Sequence, residues 1–234
     1  MGAPEDTRTR ILRLSAELFA ARGYHGTGLA ELLQAVGVAR GGFYHHFRSK
    51  EDVLLEIVAR TIDGILLSSA EIVGQSQDAA TKLRMLCDDL STAIIDNQAG
   101  FIVFLREYSA LSHDAKEKVL ALRRSYLQRW EGVLAEGART GLFAARETPY
   151  TEGILGMWIY SFVWNRGSVK PETIARDLAD FVLRGVRGDI PLPTTMVGGP
   201  NPARGTGATS RRPADRSGTS SPQLIPSALQ RGPS

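Results

Sequence analysis

Cysteine is nearly missing: the 234-residue chain carries one, Cys87, so neither an internal disulfide nor a cysteine-based metal site can form. Cys87 is expected as a small core or surface residue, with a redox-sensing thiol as the other reading. Proline is scarce where it matters. Pro4, Pro149 and Pro171 are the only three among the first 188 residues, and the other eight follow. Proline lacks the N–H that a helix interior needs, so the body can be mostly helical, while the Pro-, Gly- and Ser-rich remainder reads as a disordered tail. No apolar run approaches the ~18 residues of a membrane span, and no charged-then-apolar start resembles a secretory signal. The expectation is a cytoplasmic protein with no membrane partner. An excess of one charge is also missing from the body. Residues 1–188 hold 23 Lys+Arg and 23 Asp+Glu, so the whole formal charge of +3 lies in residues 189–234, where five Arg meet Asp189 and Asp215. Bulk charge therefore gives the body no attraction for a polyanion, despite a pI near 9.2.

What the body does contain is apolar residues at helical spacing and no alternating strand pattern. Ile11, Leu14, Leu18 and Phe19 share one face of a helix from about Asp6 to Arg22, stopped by Gly23. Leu29, Leu32, Leu33 and Val36 define a short helix ending near Gly37, and Val38, Phe43 and Phe47 mark another, broken before Ser49. Ser49-Lys50-Glu51-Asp52 has the form of an N-cap with acidic residues in the first turn. It opens a longer helix carrying Val53, Leu54, Ile57, Val58, Ile62 and Ile65. Further helices are expected at about 78–96, 100–111, 114–139, Tyr150–Trp164 and Pro171–Val186. The fold class is all-α, with about nine helices.

The stretch from Ile11 to Leu54 carries the chemistry. Two short helices joined at Ala35-Val36-Gly37-Val38 have the layout of a helix-turn-helix, with Gly37 permitting the sharp turn. On the second of them, Ala39 to His46, Phe43 and Phe47 lie four residues apart and face inward. The other face then shows Arg40, Gly41, Gly42, Tyr44, His45 and His46. Glycines let backbone approach the floor of a DNA major groove, Arg40 suits a bidentate contact to guanine or phosphate, and Tyr44 and the histidines can donate to phosphate oxygens. Lys50 stands at a helix start, where a cation and free amides can hold a phosphate. A metal role for His45 and His46 is disfavoured, because adjacent helical residues diverge by about 100° and no third ligand is near.

These residues, with Leu18-Phe19, Arg22-Gly23-Tyr24, Thr27, Gly37-Val38, Phe43-Tyr44-His45-His46-Phe47 and Ser49-Lys50-Glu51, resemble the DNA-binding domain of the TetR family of transcriptional regulators. The resemblance implies a three-helix DNA-binding domain over residues 1–50, a helical effector-binding and dimerisation domain over 51–188, and the tail over 189–234. It further implies a homodimer on a palindromic double-stranded DNA operator, with Tyr44, His46 and Lys50 at positions that commonly hold phosphates. Thr27, Gly28 and Ala39 join the DNA-facing set by the same resemblance. The family often has Ser or Thr where Gly28 and Ala39 stand, which removes any capping hydroxyl there.

Beyond residue 60 the aromatics of the later helices are expected to pack around an apolar cavity. Met85, Phe101, Phe104, Tyr108, Tyr126, Trp130, Trp158 and Phe162 are its candidate lining. Ile154, Ile159, Phe162, Ile174, Leu178, Phe181 and Val182, on the last two helices, match the place where the family forms its dimer interface. Arg106-Glu107-Tyr108, Leu122 to Tyr126 with Trp130, and Trp164-Asn165-Arg166-Gly167 loosely resemble family members that sense acyl-CoA thioesters. Arginines beside an apolar cavity suit such a ligand; the plainer reading pairs Arg106, Arg123 and Arg124 with Glu107, Asp114 and Glu117. Function is thus read as a ligand-responsive regulator, acting as a repressor released by a small hydrophobic effector. A constitutive DNA-binding regulator is the alternative. An enzyme is disfavoured, since no Ser/His/Asp, metal or P-loop constellation occurs, and no cofactor is implied.

Overall fold

A computed structural model describes residues 5–144, 150–165 and 169–187. The expected tail lies outside the described residues, as do Pro149, Arg166 and Gly167. Among the described residues the chain forms nine α-helices, one 3-10 turn and no strand. In order these are α1 (Thr7–Arg22), α2 (Leu29–Val36), α3 (Arg40–His46), α4 (Lys50–Val73), α5 (Ala79–Asp96), α6 (Gln98–Glu107), the turn Tyr108–Ala110, α7 (His113–Arg139), α8 (Tyr150–Trp164) and α9 (Pro171–Arg187). The all-α expectation holds. The one break in the expected elements is at 100–111: α6 starts earlier, under the side chain of Asn97, and tightens to 3-10 geometry at Tyr108.

Local chemistry sets the ends. The Asp6 carboxylate accepts from the amides of Arg8 and Thr9 and starts α1. Ser49 accepts from the Asp52 amide at 3.0 Å, and Asp52 in turn accepts from the Arg48 amide at 2.9 Å. The Ser49 cap and the Asp52 carboxylate thus hold the amides on either side of the helix start, which fixes where α4 begins. Between α2 and α3, Gly37 takes left-handed backbone with φ +68°, a conformation costing any other L-residue roughly 1–2 kcal/mol.

Two apolar clusters organise the helices. The first joins α1, α2 and α3 through Ile11, Phe19, Leu32, Phe43 and Phe47 to Val53, Leu54, Ile57, Val58 and Ile62 of α4, and also takes in Val103 of α6 and Ala115 and Val119 of α7. The second packs Ile65 and Ile72 of α4, Leu83, Leu86, Cys87, Leu90 and Ile94 of α5, Phe101 of α6, Tyr126, Trp130 and Val133 of α7, Trp158 and Phe162 of α8, and Ala179 and Val182 of α9. Helices α4 and α7 run through both clusters. With 24 and 27 residues, each spans roughly 35–40 Å at 1.5 Å per residue. Their starts lie together in the first cluster, beside the helix-turn-helix.

Within the second cluster Phe143 packs onto bare backbone at Gly137 of α7, where a Cβ would enter its ring. The Lys82 ammonium, almost wholly buried on α5, pairs with Glu136 of α7 at 3.0 Å. Cys87 is fully buried, and burial pushes its thiol well above the ordinary range. The core reading applies, and the redox-sensing one loses its basis because a sensor thiol must be exposed and ionised. Native protein is expected to resist N-ethylmaleimide for hours while urea-unfolded protein reacts at once; mass spectrometry reads the adduct. Rapid native labelling would restore the sensor reading.

Candidate nucleic-acid interface and effector core

Helix α3 is split by its packing. Phe43 and Phe47 are buried, 0% and 3% exposed, and Phe43 packs edge-on to Tyr44 with ring centroids 5.5 Å apart. Arg40, Gly41, Gly42, Tyr44 and His45 are exposed, and His46 is half-buried. The structure therefore brings the expected reading surface together. The Arg40 guanidinium lies 5.9 Å from the Tyr44 ring centroid, a cation–π contact that holds two long side chains outward. No Cβ neighbour crowds Gly41, leaving its backbone open to close approach.

Gly28 and Ala39 are exposed and stand as the N-caps of α2 and α3, with no side-chain cap bond at either. Their first-turn amides are thus uncapped donors, suited to a phosphate.

Thr27 is different. It is fully buried and its hydroxyl donates to the Gly23 carbonyl at 2.9 Å. Its side chain secures the α1–α2 turn, so its expected place on the DNA-facing surface is corrected. Lys50 has two roles to reconcile. Its Nζ donates to the carbonyls of Tyr24 and Thr27, both at 2.8 Å, and lies 4.1 Å from the Tyr24 ring centroid. An ammonium has three donors, so one N–H remains for a phosphate. The Lys50 pKa is lowered by burial.

The helix-turn-helix is braced from behind. Arg8 of α1 forms a two-pronged pair with Glu56 of α4 and sits 5.1 Å from the Phe47 ring centroid. Arg22 pairs with Glu31 and ties α1 to α2.

Two contacts that the sequence did not disclose join this end to the other helices. The Ser112 amide, just before α7, donates to the Glu51 carboxylate of α4 at 2.8 Å. Arg106 of α6 donates to the Ala20 carbonyl of α1 at 3.2 Å. Glu51 was legible as a first-turn acid, but its partner lies 61 residues away and no local pattern could name it. The Ser112 bonds, the backbone amide first, hold the Glu51 carboxyl below its ordinary value of 4.5. A depressed carboxylate contributes stability above its unfolded pKa and loses it as pH falls through the folded one. The melting temperature of Glu51→Gln is therefore expected to lie slightly below wild type at pH 7 and to converge with it below about pH 4.5. A gap that persists into acid would show that the charge is not what matters.

The expected effector residues divide between the clusters. Phe101, Tyr126, Trp130, Trp158 and Phe162 are buried together in the second cluster, and Met85 packs against it. Phe104 and Tyr108 pack instead on the first cluster, beside the DNA-binding helices, because α6 turns toward α1; their place in the effector lining is corrected. The Trp158 indole N–H donates to Ser91 Oγ at 2.7 Å. Met85 also lines a groove of about 390 Å³ between α5 and α9, with Arg84, Asp88, Asp180, Leu183, Arg184 and Arg187 around it. The expected acidic partners of Arg106 and Arg123 are not the observed ones. Arg106 bonds Ala20, and Arg123 pairs with Glu152 of α8 at 3.1 Å; helix geometry turns both away from their sequence neighbours.

The expected dimer residues divide as well. Ile154, Phe162 and Val182 are buried in the chain's own core, and Ile159, Ile174 and Leu178 are half-buried against it. Ile154, Phe162 and Val182 are corrected as surface anchors, because they pack into the chain's own core, while Ile159, Ile174 and Leu178 keep part of their surface outside. Phe181, 58% exposed, and Tyr160, 47% exposed, are what α8 and α9 leave outside.

Comparison with known proteins agrees with this architecture. Residues 11–57 match the family described as bacterial regulatory proteins, tetR family, and residues 76–186 match the tetracyclin repressor-like C-terminal domain. The chain belongs to the TetR family of transcriptional regulators. It is 29% identical over 185 residues to the HTH-type transcriptional repressor KstR2 of Rhodococcus jostii (strain RHA1), covering 76% of this chain and 90% of that protein. The crystal structure of the TetR family regulator PfmR from Thermus thermophilus superposes with a TM-score of 0.70 at 29% identity, covering 75% of this chain and 97% of that one. AibR in complex with isovaleryl coenzyme A and operator DNA shares the fold, with a TM-score of 0.67 at 23% identity over 75% of this chain and 97% of that one.

Proposed function

We propose that this protein is a ligand-responsive transcriptional repressor that binds a palindromic operator as a homodimer and is released by a small hydrophobic effector, an acyl-CoA thioester. The observation that carries the reading is the split surface of α3: two buried phenylalanines fix the helix while Arg40, Gly41, Gly42, Tyr44 and His45 stand exposed on it. Residues 1–50 are the DNA-binding unit, and residues 51–188 the effector and dimerisation unit. Release follows from the shared helices. An effector that binds one arrangement of α6 and α7 better than the other shifts α1 and α4 through Arg106–Ala20 and Glu51–Ser112, by no more than its differential affinity allows. The acyl-CoA class is supported by the apolar aromatic core and by the ligand of AibR. The protein acts in the cytoplasm, where its DNA lies; among the described residues no helix is long and apolar enough to cross a membrane. Selecting genomic fragments on the purified protein tests the reading: recovered sites are expected to share an inverted repeat bound by two chains.

Exposed Phe181 and Tyr160 on the last two helices are the surface offered to the second copy. Phe181→Glu is expected to give monomers at micromolar concentration by light scattering and to weaken operator binding with them. A variant that stays dimeric would move the interface elsewhere.

One observation favours the constitutive alternative: the aromatic core is closely packed, with Trp130 and Trp158 fully buried. A regulator without an effector would show no rise in melting temperature with any acyl-CoA, whereas a bound ligand raises it with the logarithm of its excess over Kd.

A further inference from the structure

Helix α7 carries two polar side chains into the second cluster, one turn apart. Tyr126 is 3% exposed and Trp130 0% exposed, and their rings meet edge-on with centroids 6.2 Å apart. Neither the Tyr126 hydroxyl nor the Trp130 indole nitrogen has a hydrogen-bond partner among the described residues. Trp158 provides the contrast in the same cluster, since its indole N–H donates to Ser91 Oγ. Buried donors are almost always paired, because an unpaired one keeps the cost of losing water without the bond that offsets it. Two unpaired donors side by side in an otherwise apolar core are therefore an arrangement that a partner has to complete.

The chemistry of the pair narrows that partner. An indole N–H can only donate, and a phenol O–H donates to any stronger acceptor. Together they select an oxygen acceptor and offer a hydrocarbon nothing. The nearby charge is negative: Asp89, held by Ser68 Oγ at 2.7 Å, acts on Tyr126 and reinforces the upward push of burial on its hydroxyl. The Trp130 indole works the other way on that hydroxyl, without closing a bond. A carboxylate placed there would be repelled by Asp89, whereas a neutral carbonyl would not. The surrounding Phe101, Trp158 and Phe162 suit an apolar chain.

We propose that Tyr126 Oη and Trp130 Nε1 form a two-donor seat for the neutral carbonyl oxygen of the effector, with its hydrocarbon part among Phe101, Trp158 and Phe162. The seat rests on the effector reading above and adds to it the atom that is recognised. Its specificity follows directly: a ligand of the same length and greasiness but without the carbonyl leaves both donors unpaired and is rejected.

Two measurements test it. The first needs no ligand. Tyr126→Phe removes a hydroxyl that has no protein partner, so the free protein is expected to melt at the wild-type temperature or above it; a fall of several degrees would show the hydroxyl already satisfied and overturn the seat. The second compares decanoyl-CoA with its thioether S-decyl-CoA, which has the same chain and headgroup and lacks the carbonyl, by calorimetry on the full chain. Wild type is expected to bind the thioester at least about tenfold more tightly. That ratio is expected to shrink to about two- to threefold or less in Tyr126→Phe and in Trp130→Phe. Equal binding of the two probes to wild type, or discrimination that survives both substitutions, overturns the seat and leaves the acyl-CoA reading standing. Binding of neither probe overturns the acyl-CoA reading, and the seat with it.

Discussion

Phe43→Ala is expected to cost about 3–5 kcal/mol of folding stability, the range for truncating a fully buried phenylalanine. Phe43 is 0% exposed and packs on Phe47 with ring centroids 5.9 Å apart. Helix α3 has only seven residues, too few to persist without tertiary packing. Removing its main anchor therefore loosens the reading helix before the rest of the chain. Thermal unfolding should show a fall of roughly 2–4 °C for each kcal/mol lost in a chain of this size. Operator binding should disappear at temperatures where most of the helical signal remains. A variant that melts with wild type would contradict the packing described for the first cluster.

The neighbouring position behaves in the opposite way. Tyr44 is 46% exposed, so Tyr44→Ala is expected to leave the melting temperature within about 1–2 °C of wild type, as surface changes do. In the proposed complex it removes a phosphate donor from each half of the operator, and with it the ring that Arg40 lies over. Arg40→Ala would remove the proposed contact to guanine or phosphate, and a bidentate base contact is worth about 1–3 kcal/mol. The double variant is expected to lose about 100-fold or more in operator affinity. Wild-type affinity should also fall steeply with salt, since each phosphate contact releases counterions. Unchanged affinity in a correctly folded double variant would remove α3 from the DNA interface.

Much of this was legible in the sequence, for physical reasons that also mark where legibility stops. The helices follow from apolar residues at helical spacing, and the start of α4 from the Ser49 cap, because those signals are local. The inward pair Phe43 and Phe47 followed from the same periodicity, and their burial placed Arg40 and Tyr44 outside without further information. Thr27 shows the limit. A motif position says that a residue belongs to a site, not whether it faces the ligand or supports the turn, and here the hydroxyl closes on Gly23. Phe104 and Tyr108 show another, since which cluster an aromatic joins depends on how α6 lies against α1, a tertiary fact. Ile154, Phe162 and Val182 were expected at the dimer surface because the last two helices match the place of the family's interface; only packing against the rest of the chain decides which of their faces is inside. The Glu51–Ser112 and Lys82–Glu136 pairs join residues far apart in sequence, and single charges carry no record of their partners.

The charge arithmetic acquires a different meaning with the fold in view. The body is neutral, and its charged residues largely brace one another: Arg8 with Glu56, Arg22 with Glu31, Lys82 with Glu136 and Arg84 with Asp180. The proposed DNA contact therefore rests on a few outward groups of α3 and on uncapped helix starts, rather than on a basic field.

Central to the proposed function is that one chain joins an α3 reading surface to an effector core and trades one for the other. Fluorescence anisotropy of a labelled operator, titrated with wild-type protein with and without saturating decanoyl-CoA, tests it most directly. Sub-micromolar binding by two chains is expected without ligand, and an affinity at least about tenfold weaker with it, the low end of ordinary allosteric coupling. Operator affinity identical in both titrations, at a concentration where the same ligand raises the melting temperature, would contradict it.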